Sequence, residues 1–415
     1  MEPVMPPSTY ISRALEPVVR RAAREFPAVV LTGPRQSGKT TLLRHIFGAK
    51  CRYVSLETPD VRLAASADPR GFLDAYPPPV IFDEIQFAPD LMMYIKERID
   101  ERRDTPGQYL LTGSQNLLMV EQVTESLAGR AAMLRLLPLS FREVQGHTKS
   151  KLPWEGPKGN GASSGALHLS GTKLWKAFLR GNFPELARNP KRDSALWHAS
   201  YIQTYLERDV RTLRQVGDLT LFQSFLRVLA ARSGQLLSLA DVGRDLGIAL
   251  NTAKAWLSVL EATYQVIVLR PYHASIGKRL VKTPKVYFTD VGTLCYLSGL
   301  KDPDHARQGP LAGAIFETAV LSEVFKTLLH RGEPPQLYFW RTASGTEVDI
   351  VVETERKLTP IEVKLSETPH PNMAKGILSF QEDFAGRAEP GYVVHPGTTR
   401  LPIALGVTAL PFGEL

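Results

Sequence analysis

The stretch 31-LTGPRQSGKTTLLRHIF-47 decides the fold of the first part of the chain. Gly33, Gly38, Lys39 and Thr40 fit the spacing G-x-x-x-x-G-K-[ST], between an apolar run and residues with helical spacing. Glycines let successive backbone N–H groups converge on phosphate oxygens, and the N-terminus of a helix adds the positive end of its dipole. The stretch therefore predicts a strand, a phosphate-binding loop and a helix, in that order.

This loop predicts a site for ATP and Mg²⁺. Lys39 is expected to reach the β- and γ-phosphates, and Thr40 is expected to be a ligand of Mg²⁺. The predicted nucleotide-binding residues are Gly33, Pro34, Arg35, Gln36, Ser37, Gly38, Lys39, Thr40 and Thr41.

A pair of carboxylates follows a second apolar run, in 79-PVIFDE-84. We expect Asp83 to hold the Mg²⁺ shell through water and Glu84 to polarise the attacking water. On its own, an acidic pair after an apolar run is usually a strand end that meets solvent. Its place one domain-sized step after the phosphate-binding loop favours the catalytic interpretation.

Two further residues are candidates for sensing the nucleotide or stabilising charge. Ser114 follows the apolar run 108-QYLLTG-113, so we expect it beside the γ-phosphate, and an ordinary turn is the alternative. Arg130 is a candidate arginine finger or sensor, and a solvated surface arginine fits the sequence equally well. Arginine fingers of this class usually act across a subunit boundary, so Arg130 hints at a homo-oligomer.

Short apolar runs separated by helix-length stretches predict the fold class of this region. The runs are residues 27–33, 52–57, 79–84, 108–113 and 132–139. Alternation of this kind is typical of an α/β fold in which a parallel sheet carries helices on both faces. The run 52–57 lies between the two nucleotide motifs in sequence, which leaves room there for the extra central strand of the additional-strand ATPases.

Length and composition divide the chain into four segments. At 415 residues the chain is too long for a single core. We predict an AAA+-like P-loop ATPase domain over 1–146 and a flexible insertion rich in Gly, Ser, Lys and Pro over 147–172. A helical and winged-helix domain is predicted over 173–300, and an α/β domain over 301–415.

The middle of the chain predicts a helix–turn–helix followed by two β-strands. Gly247 is expected to end the first helix, and the strands would form a wing with the basic loop 277-GKRLVKTPK-285. Such a unit can place side chains in a DNA groove and on phosphates, although winged helices also pack domains together. The predicted DNA contacts are Thr252, Lys254, Lys278, Arg279 and Lys282, with Lys285 in the same basic cluster.

A second candidate site lies in the segment TEVDIVVETERKLTPIEVKLS near the C-terminus. Asp349 lies on one predicted strand, and Glu362 and Lys364 lie two residues apart on the next, hence on one face. Two carboxylates can hold Mg²⁺, and a lysine can orient or deprotonate a water for attack on a phosphodiester. The alternative is a salt-bridged surface ribbon.

Several motifs together resemble a large prokaryotic family of AAA+-like ATPases in which the ATPase is joined to a C-terminal domain of unknown function. The motifs are LTGPRQSGKTTL, FDEIQ, LTGSQ, SLAGRAAMLRLLPLSFREV, and GNFPEL with YLERDV. The resemblance covers nearly the whole chain except residues 147–172. It implies the nucleotide roles given above, a winged-helix middle and a nuclease-like end, without a settled biological role.

The C-terminal segment also resembles the core of PD-(D/E)xK nucleases, a restriction-endonuclease-like α/β fold. Val348 stands at the position that the motif gives to proline. The resemblance implies a nuclease site of Glu317, Asp349, Glu362 and Lys364, in which Glu317 is the additional acid. A nuclease-like fold that has lost its activity stays open.

Composition gives expectations about the partner and the cellular compartment. The chain has 50 Lys and Arg against 42 Asp and Glu, a net charge of +8 that suits DNA as a partner without requiring it. Cys51 and Cys295 lie far apart without metal-ligand spacing, which indicates a reduced cytoplasm. The sequence has no run of about 18 apolar residues, so we expect no membrane span.

The leading hypothesis is a cytoplasmic, Mg²⁺-dependent protein that hydrolyses ATP and binds, then remodels or processes, DNA. The alternative is a nucleotide-gated DNA-binding or regulatory module whose nuclease-like domain is inactive. A kinase built on the same loop is weaker, because the sequence shows no acceptor pocket and leaves two further domains unexplained.

Overall fold

The structure is a computed structural model whose described residues form two compact units. It describes residues 10–114, 126–148, 151–155, 170–206, 210, 218–272 and 282–415. The first unit ends at Pro138 and also takes in residues 262–264 and 329–333, and the remainder from Leu139 onward belongs to the second unit. The predicted boundary at 300/301 therefore lies inside the second unit.

The first unit is a parallel sheet with helices. Its strands are β1 (Ala28–Gly33), β2 (Arg52–Ser55), β3 (Val80–Asp83), β4 (Tyr109–Ser114) and β5 (Ala131–Arg135). Its helices are α1 (Glu16–Glu25), α2 (Lys39–Phe47), α3 (Pro59–Ala67), α4 (Pro69–Ala75) and α5 (Leu91–Glu101). The strands pair in parallel in the order β2-β3-β4-β1-β5, so the predicted parallel sheet is confirmed.

The strand that separates β1 from β3 is β4, whereas β2 lies at an edge of the sheet. The interpretation that gave the extra central strand to residues 52–57 is therefore wrong. The burial patterns give the reason, because every residue of β4 is buried while Arg52 of β2 is exposed. A strand that has neighbours on both sides and helices on both faces is usually a continuous apolar run, and β4 begins with such a run, Tyr-Leu-Leu.

Alternate residues of the first unit's strands enter two separate cores. Val30, Phe82 and Leu111 belong to one core, which also holds buried side chains of α3, α4 and α5. Val29 and Ile81 belong to the other, which holds buried side chains of α1 and α2. Side chains alternate across a strand, so each face of the sheet is covered by its own set of helices.

The second unit combines helices with a mixed sheet. Its helices are α6 (Phe141–Val144), α7 (Gly171–Arg180), α8 (Pro184–Arg188), α9 (Ser194–Tyr205), α10 (Leu219–Ala231), α11 (Leu239–Leu246), α12 (Leu250–Ala262), α13 (Val291–Leu297), α14 (Pro303–Gln308), α15 (Ala312–His330) and α16 (Lys375–Asp383). Its strands are β6 (Val266–Pro271), β7 (Lys285–Phe288), β8 (Leu337–Arg341), β9 (Glu347–Thr354), β10 (Lys357–Val363), β11 (Gly391–His395), β12 (Leu401–Ala404) and β13 (Val407–Pro411). The sheet order is β12-β13-β11-β10-β9-β8-β6-β7.

The predicted helix–turn–helix corresponds to α11 and α12. Gly247 ends α11 in the left-handed conformation at φ 67°, which a residue without Cβ adopts without strain. β6 and β7 then form an antiparallel pair, but β6 also pairs in parallel with β8 through Arg270 and Pro271. The β pair is thus an edge of the C-terminal sheet and not a separate wing. Residues 277–281 of the predicted basic loop 277–285 lie outside the described residues.

Part of the predicted insertion packs into the core of the second unit. Of residues 147–172, the structure describes 147–148, 151–155 and 170–172. Leu152 is buried, and the ring of Trp154 lies 5.7 Å from the ring of Tyr392, measured between centroids. In the described portion of the chain, every helix is too short or too polar to cross a membrane.

Candidate functional site

The phosphate-binding loop joins the end of β1 to the start of α2, as the sequence predicts. Gly33 has φ 144°, and a Cβ at this position would lie 2.0 Å from the carbonyl oxygen of Leu136, so only glycine fits. Gly38 takes the left-handed conformation at φ 94° directly before α2. Gln36, within the loop, is exposed and also has a positive φ, of 60°. These turns bring the loop over the N-terminus of α2, where backbone N–H groups have no partner within the helix.

Lys39 and Ser37 supply the side chains of the loop. Lys39 Nζ donates to the carbonyl oxygens of Gly33 and Pro34, both at 3.0 Å, so its ammonium stays at the loop. Ser37 Oγ is buried and has no hydrogen-bond partner in the structure. A buried hydroxyl without a partner is costly, and a phosphate oxygen would satisfy it. The loop therefore fits a phosphate group.

The loop is also anchored from the N-terminal side of the first unit. Arg13, just before α1, is buried and donates from Nη1 to the carbonyl oxygen of Ser37 at 2.9 Å. Its Nη2 donates to the carbonyl oxygen of Leu137 at 2.6 Å. One guanidinium thus connects the phosphate-binding loop to the segment that follows β5. Sequence reasoning missed Arg13, because nothing local marks it.

Asp83 lies at the end of β3 and is held by three hydroxyl groups. Thr40 Oγ1 donates to Asp83 Oδ1 at 2.7 Å, and Tyr53 OH donates to Asp83 Oδ2 at 2.8 Å. Thr112 Oγ1 also donates to Asp83 Oδ1. The contact between Thr40 and Asp83 is the pair that Mg²⁺ bound to a P-loop needs, an alcohol and a carboxylate side by side. The donors are neutral, so nothing in this group competes as a cation.

Tyr53 and Thr112 are residues that the sequence did not single out. Tyr53 lies on β2 and Thr112 on β4, the two neighbours of β3. Burial raises the pKa of Tyr53, and the charge of Asp83 raises it further, so the phenol keeps its proton and remains a donor. The guanidinium of Arg44 lies 4.8 Å from the centroid of the Tyr53 ring. The ring is thereby held from the side of α2.

Glu84 follows β3 in the left-handed conformation, at φ 56° and ψ 51°. Its Oε2 accepts from the backbone N–H and the Oγ of Ser114, both at 3.1 Å, and from Nε2 of Gln86. Burial raises its pKa, but the charge of Lys39 and the bonds from Gln86 and Ser114 outweigh burial and lower the pKa overall. Glu84 is therefore ionised, and its carboxylate has a fixed orientation.

Ser114 and Arg130 lie at opposite ends of the parallel sheet. Ser114, the last residue of β4, lies beside Glu84 at the carboxyl end of the sheet, where ligands of open α/β sheets bind. Arg130 precedes β5, whose first residue pairs with Ala28, the first residue of β1, so it lies at the amino end of the sheet. Its guanidinium pairs with both carboxylate oxygens of Asp100, at 2.7 and 2.9 Å. The structure does not bring Arg130 to the loop of its own chain.

The predicted C-terminal residues lie together, and Lys285, which the sequence places in the basic loop, lies among them. Lys285 Nζ, at the start of β7, lies 3.2 Å from Glu317 Oε1, 2.5 Å from Glu347 Oε1 and 3.8 Å from Asp349 Oδ1. Lys285 is 3% exposed, so its place in the predicted DNA-binding cluster is wrong. A lysine enclosed by carboxylates cannot reach a phosphate of DNA.

Glu362 and Lys364 form the second half of this cluster. Lys364, the residue after β10, donates from Nζ to Glu362 Oε1 at 2.5 Å, so the two side chains lie on the same side of the chain. The N–H of Val363 donates to Asp349 Oδ2 at 2.8 Å and joins β10 to β9. Burial, with Asp349 nearby, raises the pKa of Glu362 to about 8 and that of Glu317 to about 7. Glu362 and Lys285 are buried, so the cluster is not a surface ribbon.

The residues present do not fit the Mg²⁺ predicted for this cluster. Among the residues that the structure describes, no group of three or more His, Cys, Asp or Glu is placed to hold a metal ion. Lys285 Nζ lies among the carboxylate oxygens that would be the ligands. The predicted nuclease site is therefore assembled as side chains but not as a metal site.

The predicted DNA contacts are only partly described. On α12, Lys254 is exposed and Thr252 is half-buried, and Lys282 is exposed ahead of β7. Lys278 and Arg279 lie outside the described residues. The exposed lysines are available to a polyanion, and Thr252 lies in the first turn of its helix.

The sheet order, the loop and the Thr40–Asp83–Glu84 group define a P-loop ATPase domain of the AAA class. Residues 25–145 match the family model of an AAA domain. Residues 171–304 match one domain of unknown function (DUF8612), and residues 312–415 match another (DUF4143). The C-terminal domain of unknown function implied by the resemblance is thus confirmed, while its nuclease-like character is not.

Two relatives cover nearly the whole chain. Uncharacterized protein Rv2008c of Mycobacterium tuberculosis and uncharacterized protein Mb2031c of Mycobacterium bovis are each 32% identical over 400 residues, which is 96% of this chain and 82% of each relative. The chain belongs to the family of these two mycobacterial proteins.

Two solved structures are similar at a lower level. The Walker-type ATPase PABY2304 of Pyrococcus abyssi is 14% identical with a TM-score of 0.44, over 71% of this chain and 99% of that one. RuvB of Thermotoga maritima is 15% identical with a TM-score of 0.27, over 61% of this chain and 85% of that one. Both scores are too low to support a functional inference.

Proposed function

We propose that the protein hydrolyses ATP in its first unit with the help of Mg²⁺, and that DNA is its partner. One observation carries the ATPase proposal. Thr40, Asp83 and Glu84 meet at the carboxyl end of the sheet, beside a loop whose Lys39 is held within it. An alcohol, a carboxylate for the metal and a second carboxylate for water are the parts that P-loop hydrolysis uses.

The phosphate-binding loop and the pair of Thr40 and Asp83 carry out the binding step. The backbone N–H groups at the start of α2, Ser37 Oγ and Lys39 Nζ bind the phosphate oxygens. Thr40 and Asp83 would hold Mg²⁺, which when bound neutralises charge on the β- and γ-phosphates. Tyr53 and Thr112 keep the Asp83 carboxylate in one orientation, so the site forms with little rearrangement.

The chemical step falls to Glu84. As general base it takes a proton from the water that attacks the γ-phosphorus, while the bond from that phosphorus to the bridging oxygen breaks. Its Oε2 accepts three hydrogen bonds from Ser114 and Gln86, which stabilise the ionised form and weaken it as a base. Breaking one of these bonds strengthens the base, so Gln86 and Ser114 restrain hydrolysis.

Two variants test the ATPase with matched controls. Lys39→Ala is expected to lose nucleotide binding and ATP turnover, whereas Glu84→Gln is expected to keep binding and lose turnover by about 100-fold or more. Lys50→Ala, three residues after α2, and Glu101→Gln at the end of α5 change exposed residues of the same types in the same unit. Full turnover in both site variants would refute the mechanism.

The support for DNA is a pair of exposed lysines in the second unit, one on α12 of the helix–turn–helix and one ahead of β7. Lys254 of α12 and Lys282 are exposed, and the chain carries a net charge of +8. Phosphate contacts release counterions, so affinity should fall steeply with salt. Lys254→Glu and Lys282→Glu are expected to weaken binding to single-stranded, double-stranded and branched DNA and to lower the salt slope, with Lys301→Glu as an exposed control. Equal binding by all variants removes this surface as the DNA site.

Arg130 is proposed to act only on a neighbouring copy, because it lies at the far end of the sheet from its own loop. In a mixture of Glu84→Gln and Arg130→Ala proteins, an Arg130→Ala copy keeps Glu84 and takes Arg130 from a Glu84→Gln neighbour, so part of the turnover should return. Asp100→Ala, which removes the partner of Arg130 and leaves the guanidinium, is the matched control. A protein that stays monomeric with a non-hydrolysable ATP analogue excludes this role.

A further inference from the structure

Lys285 lies where the C-terminal carboxylates converge. Its Nζ is within 3.8 Å of one oxygen each from Glu317 of α15 and from Glu347 and Asp349 of β9. Tyr287, two residues further along β7, donates its OH to Glu317 Oε1. The lysine and the tyrosine therefore approach the carboxylates from one face of β7, because side chains alternate along a strand.

The ammonium of Lys285 is charged. Burial alone would lower its pKa, but the charges of Glu317, Asp349 and Glu347 outweigh burial and raise the pKa above the ordinary value of lysine. A buried ion is stable only when it is paired, and three carboxylates supply that pairing. The ring of Phe339 lies 5.5 Å from Nζ and adds a cation–π contact.

A divalent ion would need the same oxygens. Mg²⁺ and Mn²⁺ bind carboxylate oxygens at about 2.0–2.2 Å, and each ligand must give a lone pair to the metal. Lys285 Nζ donates to Glu317 Oε1 at 3.2 Å, and it lies 2.5 Å from Glu347 Oε1 as an ion pair, so the ammonium occupies the space next to both oxygens. Two cations at the same oxygens would repel each other strongly in a buried site.

We infer that Lys285 is the resident cation of the C-terminal cluster, so that this site excludes divalent metal ions as long as Lys285 is in place. The carboxylates and Lys364 that resemble a nuclease site then form a metal-independent site. The inference does not depend on ATP hydrolysis, since all of its residues belong to the second unit. It also predicts that removing the ammonium creates a divalent metal site from Glu317, Glu347 and Asp349.

The test is a Mn²⁺ titration of the full chain without nucleotide, followed by electron paramagnetic resonance of free Mn²⁺. Every protein carries Asp83→Asn, so that the site in the first unit does not contribute. With Lys285 present, adding Asp349→Asn is expected to leave Mn²⁺ binding unchanged. Lys285→Ala is expected to gain one site per chain with at least tenfold higher affinity, and adding Asp349→Asn is expected to abolish it.

Lys285→Arg is the matched control, because it keeps a cation at the same strand position and is expected to gain no site. Circular dichroism checks that each variant is folded. Mn²⁺ bound tightly with Lys285 present, and lost with Asp349→Asn, overturns the inference. That comparison leaves Lys285 untouched, so it remains decisive even if Lys285→Ala fails to fold. A folded Lys285→Ala protein without a new site also overturns it.

Discussion

Both units hold a buried lysine beside carboxylates, yet the two lysines contact different groups. Lys39 donates to two backbone carbonyls, and the carboxylate of Asp83 is held by neutral hydroxyls. Lys285 lies directly among Glu317, Glu347 and Asp349. In the first arrangement the carboxylate is held by neutral donors, and in the second a cation lies among the carboxylates. The same residue types thus give a carboxylate with neutral partners in one unit and a closed ion cluster in the other.

The strongest test of this contrast is to remove the ammonium of Lys285. Lys285→Met leaves three carboxylates without their cation, and breaking a buried ion pair from one side costs about 3–5 kcal/mol of unfolding free energy. Urea denaturation measures the loss, with Lys301→Met as an exposed control. A loss no larger than that of the control would mean that the ammonium does not hold the cluster together.

The pH dependence of stability gives the next largest effect. The pKa of Glu362 rises from 4.5 to about 8 and that of Glu317 from 4.5 to about 7 on folding, so the folded chain binds more protons than the unfolded chain in this range. These groups therefore stabilise the fold most below pH 4.5, and that stabilisation is lost as the pH rises to about 8. We expect a fall on the order of 2 kcal/mol relative to Glu362→Gln, followed by chemical denaturation. Parallel pH curves for the two proteins would contradict the raised pKa.

On the side of the first unit, Tyr53→Phe tests whether neutral hydroxyls prepare Asp83 for the metal. The variant loses the donor to Asp83 Oδ2 and keeps the ring beside Arg44. Loss of an outer hydrogen bond to a metal-binding group commonly weakens metal affinity by about tenfold or more. The Mg²⁺ concentration for half-maximal ATP turnover should therefore rise about tenfold, while Tyr76→Phe should leave it unchanged. If both variants behave alike, the phenol has no part in holding Asp83.

The smallest effect is expected from Gln86→Leu. It removes one donor from the Glu84 carboxylate, so the pKa of Glu84 should rise and the carboxylate should become a stronger base. ATP turnover at neutral pH should increase by about threefold, and the acid limb of its pH profile should move to higher pH. An acid limb that stays in place would show that Gln86 contributes to packing alone.

The phosphate-binding loop could be predicted from sequence because its parts are contiguous. The motif spans residues 33–40, and it holds Gly33, Gly38, Lys39 and Thr40. The strand before it and the helix after it are adjacent in sequence. Asp83 could also be predicted, because an acidic pair after an apolar run indicates a catalytic pair when a phosphate-binding loop precedes it in the sequence. Tyr53, which completes the group around Asp83, could not be predicted, since only the pairing of β2 with β3 brings it there.

Lys285 shows the opposite case, in which a local pattern suggested the wrong surroundings. In sequence it ends a basic run, so its charge indicated a surface for DNA. In the structure it is the first residue of a buried strand, and the carboxylates around it come from α15 and β9. The charge of the neighbouring residues indicated a solvated loop, whereas the pairing of β7 in the sheet buries Lys285. The same holds for β4, whose central place depends on sheet order and not on sequence order.

The anchoring of the loop by Arg13 has a practical consequence for dissecting the protein. The match to an AAA domain begins at residue 25, after Arg13 and most of α1. A fragment cut at that point would lose the guanidinium that joins Ser37 to Leu137, along with Val19 and Leu15 of the core. Truncation for expression should therefore start upstream of Tyr10, because the shorter piece would report the behaviour of a loosened loop and not that of the intact first unit.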